Sequence, residues 1–91
     1  MTKSGIKKIE SLICKLEDFL AGKNSVRFAN EIESDFIELF YEDDEIFNIA
    51  DALAQYRPEG GDFLYDKETI KPTCEHLINL LKLRLQKRKE I

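Results

Sequence analysis

The sequence predicts an all-α chain, an antiparallel four-helix bundle with a long loop between its third and fourth helices. Three observations predict it. Apolar residues recur at helical spacing in four stretches, the breaks between them carry Gly, Pro or clustered acids, and no stretch alternates long enough to read as a strand. With 91 residues the chain makes one domain, 1–91. A chain of that size buries somewhat more than about 60% of its extended surface, enough for one core without staples.

The first helix runs from Ser4 to Ala21, with Ile6, Ile9, Leu12, Ile13, Leu16, Phe19 and Leu20 at i, i+3, i+4 and i+7 and with Lys7, Lys8, Glu10, Lys15, Glu17 and Asp18 between them. Gly22 is the natural left-handed stop, and Lys23 and Asn24 leave only a short connection, which makes the second helix an antiparallel neighbour. Ser25 caps that second helix, whose apolar face is Phe28, Ile32, Phe36, Leu39 and Phe40. A third helix is expected from Asp43 or Asp44 through Ile46, Phe47, Ile49, Ala50, Leu53 and Ala54, its opening carboxylates suiting a helix N-terminus. Tyr56 to Asp66 interrupts the pattern, because Pro58 disfavours helix at Arg57 and Gly60-Gly61 demands a turn.

Asp66 or Thr69 caps the last helix, and Ile70, Cys74, Leu77, Ile78, Leu81 and Leu85 form its buried stripe. Pro72 fits in its first turn, where a missing N–H costs nothing. Leu80 and Leu83 widen the apolar face, which leaves deeper burial or a homodimer open. Lys87, Arg88 and Lys89 complement the helix C-terminus, so the basic tail has a structural reason and does not call for nucleic acid.

Charge is segregated along the chain. Residues 1–24 hold five lysines against three acids (+2), residues 25–68 three bases against thirteen acids (−10), and residues 69–91 six bases against two acids (+4), for a net charge of −4. Within the middle segment, Ser25 to Glu45 reads as helix up to the acidic cluster at 42–45. At 100° per residue it places Glu31, Asp35, Glu38 and Glu42 in an arc of about 60° beside the core face. A solvated helix usually relieves such crowding with Lys or Arg at i+4, and here only Arg27 is present, at the start. That surface is expected to meet something positive. The loop that follows mixes Tyr, Arg, Pro, Glu, Asp and Phe, the composition of an interface with aromatic anchors and a charged rim, with Tyr41, Tyr56, Phe63 and Tyr65 expected to be exposed.

Catalytic and cofactor signals are weak by comparison. The one histidine, His76, reads as a helix-flank residue, and Cys14 and Cys74 sit in apolar helical patterns as two buried, reduced thiols. Gly60-Gly61 lacks the strand and helix of a phosphate-binding loop, and the acids at 42–45 lack the alternating ligands of a calcium loop. The reading is of a binding protein rather than an enzyme, with no cofactor and no metal. Neither end carries an apolar run long enough for a signal peptide or a membrane span, so the chain is expected to remain in the cytoplasm without membrane contact.

Two segments carry a resemblance. The entry motif Phe19, Leu20, Gly22, Lys23, Ser25, Phe28 and the segment Tyr56, Pro58, Glu59, Tyr65, Asp66, followed by the helix ending LINLLKLRL, resemble the colicin D-type immunity proteins and related immunity proteins of contact-dependent growth inhibition, over roughly residues 10–88. The resemblance implies a bacterial four-helix protein that binds and blocks a cognate toxin, typically a transfer-RNA-cleaving ribonuclease, by laying an acidic surface over the RNA-binding cleft. It implies toxin contact at Glu59 and, beside it, Asp62. Where the family pattern has an acid before its aromatic-Pro segment, this chain has Gln55 and then Arg57, as expected of an inhibitor tuned to its own toxin. The candidate toxin-binding residues are therefore Glu31, Asp35, Glu38, Glu42, Gln55, Tyr56, Arg57, Glu59 and Asp62. The alternative is an acidic adaptor that docks a basic segment of another protein on the same surface.

Overall fold

The computed structural model describes residues 3–57 and 65–89, which form four helices, α1 (Lys3–Ala21), α2 (Val26–Phe40), α3 (Asp44–Ala54) and α4 (Ile70–Lys89). Each packs on its two neighbours in the cyclic order α1, α2, α3, α4, with no close approach across either diagonal. The α1–α2 pair is antiparallel, since Lys8 reaches Glu38 near the far end of α2 while Lys15 reaches Glu31 and Asp35. Likewise Arg84 late in α4 reaches Asp43 and Glu45 at the start of α3. The fold is the expected antiparallel four-helix bundle.

Local chemistry sets each boundary. Gly22 takes φ +134°, and its N–H and that of Lys23 donate to the carbonyls of Phe19 (3.3 Å) and Asp18 (3.0 Å), the paired closing bonds of a Schellman turn. A Cβ at Gly22 would meet nothing within 4 Å, so the backbone angle, not space, requires glycine there. Ser25 then opens α2, its Oγ accepting from the Phe28 N–H at 3.1 Å. Helix α2 ends at Phe40 and α3 starts at Asp44 as expected, but Glu42, expected on the α2 stripe, falls in the turn between them. Asp43 causes the restart, its Oδ1 accepting from the Ile46 N–H at 3.3 Å.

At α4 the two proposed caps act together. The Asp66 carboxylate accepts from the N–H groups of Glu68 (3.0 Å) and Thr69 (2.9 Å), while Thr69 Oγ1 accepts from the Asp66 N–H at 2.8 Å. These bonds, first of all the one from the Thr69 amide, hold the Asp66 carboxyl below its usual range. Pro72 is the third helical residue, where no intrahelical donor is required.

One cluster of buried side chains fills the bundle, including Ile9, Leu12 and Leu16 of α1, Ile32 and Phe36 of α2, Ile46 and Leu53 of α3, and Ile70, Leu77 and Leu81 of α4. Leu80 is buried as well, so of the widened α4 flank only Leu83 remains exposed. Cys74 lies in the core, and burial pushes its thiol up to about 12. Cys14, expected to be buried, is exposed on α1, because it follows Leu12 and Ile13 beyond the edge of the core face.

Tyr56 is the other correction. Expected on the surface, it is fully buried at the end of α3, its ring edge-on to Phe19 at 5.0 Å and its hydroxyl donating to the Asn24 carbonyl at 2.6 Å. It also starts the loop. A β-bridge joins Tyr56 to Tyr65, with Arg57 N–H donating to the Tyr65 carbonyl (2.7 Å) and Tyr65 N–H to the Gln55 carbonyl (3.1 Å). The long connection therefore leaves and returns at one point fixed to the α1–α2 turn. Replacing Tyr56 by Phe should cost about 0.5–1.5 kcal/mol in urea denaturation, the value of one hydrogen bond, and Tyr56→Ala about 3–5 kcal/mol, the cost of an emptied aromatic site. Equal, small losses in both variants would show that the ring is not part of the core.

Candidate protein-binding surface

The structure distributes the candidate residues over three places. Glu31, Asp35 and Glu38 share one row of α2, as their spacing implies, and that row faces α1. There Lys15 Nζ donates to Asp35 at 2.7 Å and lies 3.9 Å from Glu31, while Lys8 Nζ lies 3.7 Å from Glu38. The hydrogen bond to Asp35 raises the Lys15 ammonium above its usual range. A cleft of about 180 Å³ between the helices is lined by Lys8, Ser11, Lys15, Asp35, Glu38 and Leu39. The bases absent from i+4 on α2 are supplied by the neighbouring helix, so this row is a mixed-charge seam.

The second place is the base of the long loop. Gln55 and Arg57 are exposed, with Arg57 Nη1 donating to the Tyr56 carbonyl at 2.6 Å and Gln55 Nε2 to Asp51 at 3.0 Å. Tyr56 between them faces inward and offers a partner no ring surface. Glu59, Asp62 and Phe63 lie outside the described residues, and Tyr65 is half-buried against the core.

The third place is the acidic turn at 42–45, at the opposite end of α3. Arg84 Nε donates to Asp43 at 2.9 Å and its Nη2 to Glu45 at 2.8 Å, leaving Glu42 and Asp44 exposed and without a basic partner among the described residues. No group of three His, Cys, Asp or Glu side chains is placed to hold a metal ion among the described residues. His76 is exposed on α4.

Between the second and third places runs the outer groove of α2 and α3, which sequence reasoning missed. It is shallow, about 20 Å³, and is lined by Glu33, Phe36 and Ile37 of α2 and by Phe47, Ala50 and Asp51 of α3. Ile37 is 45% and Phe47 38% exposed, and Tyr41, one turn beyond Ile37, is 66% exposed. Of the four large apolar or aromatic side chains exposed among the described residues, Ile37 and Phe47 line this groove, Tyr41 stands at the end of α2 one turn beyond Ile37, and Leu83 lies on α4. Glu33 is half-buried with no basic partner among the described residues, and desolvation, then the nearby Asp51 charge, raises its carboxyl above the usual range. A sequence signal for this groove exists. Ile37 follows Phe36 by 100° and Phe47 follows Ile46 likewise, so neighbouring apolar residues cannot all share a narrow core face.

The seam's carboxylates have basic partners and the groove's have none among the described residues. In the window between the lower unfolded and higher folded pKa of Glu33, the native state binds the extra proton, so stability falls as pH rises through it. Glu33→Gln should therefore raise the melting temperature at pH 7 and leave it unchanged near pH 3, where the carboxyl is protonated in both states. A lower melting temperature at pH 7 would mean that Glu33 has a cationic partner. No described helix is long and apolar enough to cross a membrane. No family model, curated protein or solved structure matches this chain.

Proposed function

We propose that this protein is an inhibitor of the immunity type, which binds a cognate bacterial ribonuclease toxin and covers its cationic RNA-binding or catalytic cleft. The observation that carries the reading is the charge left after the bundle's own pairing. On α2, α3 and the turn between them Glu33, Glu42, Asp44 and Asp51 have no basic partner among the described residues; elsewhere Glu17 and Asp18 of α1 and Glu75 of α4 are likewise exposed without one. An enzyme that cleaves RNA must gather Lys and Arg around the phosphates, and a rigid row of carboxylates occupies that cleft in the substrate's place.

Roles follow from position. Glu42 and Asp44 steer the encounter from one end of the row, while Gln55, bonded to Asp51, and Arg57 at the loop base set specificity, to which the family resemblance adds Glu59 and Asp62. Glu31, Asp35 and Glu38 add to the field but are partly cancelled by Lys8 and Lys15. The inhibitor performs no chemistry and requires no cofactor. Nuclease–immunity pairs are among the tightest complexes known, and opposite fields supply the fast capture that such protection needs.

The test uses the product of the adjacent reading frame, expressed with and without this chain and assayed for toxicity and for transfer-RNA cleavage. Co-expression should rescue growth, and raising salt from 50 to 500 mM should slow association at least about tenfold with a smaller change in dissociation. Glu42→Lys with Asp44→Lys should slow association in the same way. Failure to rescue would remove the toxin reading, and salt-independent association would remove the electrostatic one.

A further inference from the structure

We infer that the α2–α3 groove is a docking site for one amphipathic helix of the partner, apolar along its centre and carrying Lys or Arg at both ends. The form of the occupant follows from the two helices that border the shallow groove. Two antiparallel helices flank it, and α3 with its 11 residues offers about 16 Å, room for roughly three turns of a third helix laid along it. The only β-pairing among the described residues is the single Tyr56–Tyr65 bridge at the loop base, so an extended segment finds no sheet edge to join here.

The chemistry of the occupant follows from the lining. Ile37 and Phe47 present exposed apolar surface along the middle, over a floor that includes Ala50, and Tyr41 adds an exposed ring at the α2 end beside Glu42. Glu33 and Asp51 stand at one end of that strip, and Glu42 and Asp44 at the other. Phe47, Asp51 and Gln55 follow one another at i, i+4 and i+8, so a helix lying on Phe47 reaches the loop base with its next turns. A cation beside Glu33 and Asp51 relieves the two carboxylates that the fold holds together with no base, and apolar contact with Phe47 shields that pair from water. This rests on the inhibitory reading only for the partner's identity; the groove's preference is a property of the bundle.

The experiment is an NMR titration of the whole chain with three synthetic probes. The first is a helical peptide with Leu at i, i+4 and i+7 and two Lys at each end, the second its scrambled sequence, and the third hexalysine. The helical peptide should bind at least about tenfold more tightly than either control, shifting the amides of Ile37, Tyr41 and Phe47 most. Ile37→Ser and Phe47→Ser should each weaken it about tenfold, and Glu33→Gln with Asp51→Asn should do the same without touching the apolar strip. Leu83→Ser, exposed on α4, should change nothing, and unchanged helical circular dichroism shows that each variant is folded. Equal binding of scrambled peptide or hexalysine, shifts confined to the α1–α2 seam, or no binding would overturn the inference. A homodimer dissolved by Phe47→Ser would also overturn it, by assigning the groove to a second copy. With the toxin domain, full inhibition by the Phe47→Ser variant removes the groove and leaves the inhibitor, whereas peptide capture without any growth rescue removes the inhibitor and leaves the groove.

Discussion

Lys15 of α1 sets the electrostatic logic of this bundle. Its ammonium sits 2.7 Å from Asp35 and 3.9 Å from Glu31, so one cation from the first segment answers two carboxylates of the second. Lys8 answers Glu38 one end of the seam away, and Arg84 of the last helix answers Asp43 and Glu45. The basic ends of the chain thus fold back over its acidic middle. Each such pair stabilises by at most about 1 kcal/mol, far less than the buried Leu, Ile and Phe that hold the helices together. Register rests on the apolar packing as well, because Glu31, Asp35 and Glu38 repeat about one turn apart and a one-turn slip of α1 would find another carboxylate for Lys15. The same pairing decides which carboxylates remain for a partner.

The two ends of the bundle are closed differently. At one end Asp43 works twice, accepting the Ile46 amide with one oxygen and Arg84 with the other, which joins the restart of the chain after α2 to the last turns of α4. At the other end Tyr56 ties the end of α3 to Asn24 and Phe19, and the bridge to Tyr65 fixes both roots of the long loop there. Between these closures α3 is a short, firmly held rod. Its outer side meets α2 in a groove that combines exposed aromatic surface with unrelieved negative charge, a pairing that a monomer has no evident reason to leave open.

Much of the fold was legible because it rests on local rules. Helical spacing, Gly22 as a stop, Ser25 as a cap and the Asp66–Thr69 pair are all satisfied within a few residues of chain. The candidate site was less legible because it depends on tertiary neighbours. Nothing near Asp35 in sequence announces Lys15, twenty positions earlier, or near Asp43 announces Arg84, forty-one positions later. Tyr56 misled for a related reason. Its neighbours Arg57 and Pro58 look like surface, yet its ring fills the space beside Phe19 and finds a carbonyl for its hydroxyl thirty-two residues away. Ile37 and Phe47 were obscured by the richness of the apolar pattern itself, which offers more large side chains than one core face can take.

The account therefore turns on whether the acids of the α1–α2 seam are paired internally, so that the unpaired acids of α2 and α3 lie on the side those two helices share. The most direct measurement is the stability of Asp35→Asn at pH 7 in low and high salt. Pairing with Lys15 predicts a loss of about 0.5–1 kcal/mol at low ionic strength that shrinks as salt is added. A gain in stability would mean that Asp35 stands in a crowd of unrelieved carboxylates, and would return the binding surface to the row of Glu31, Asp35 and Glu38.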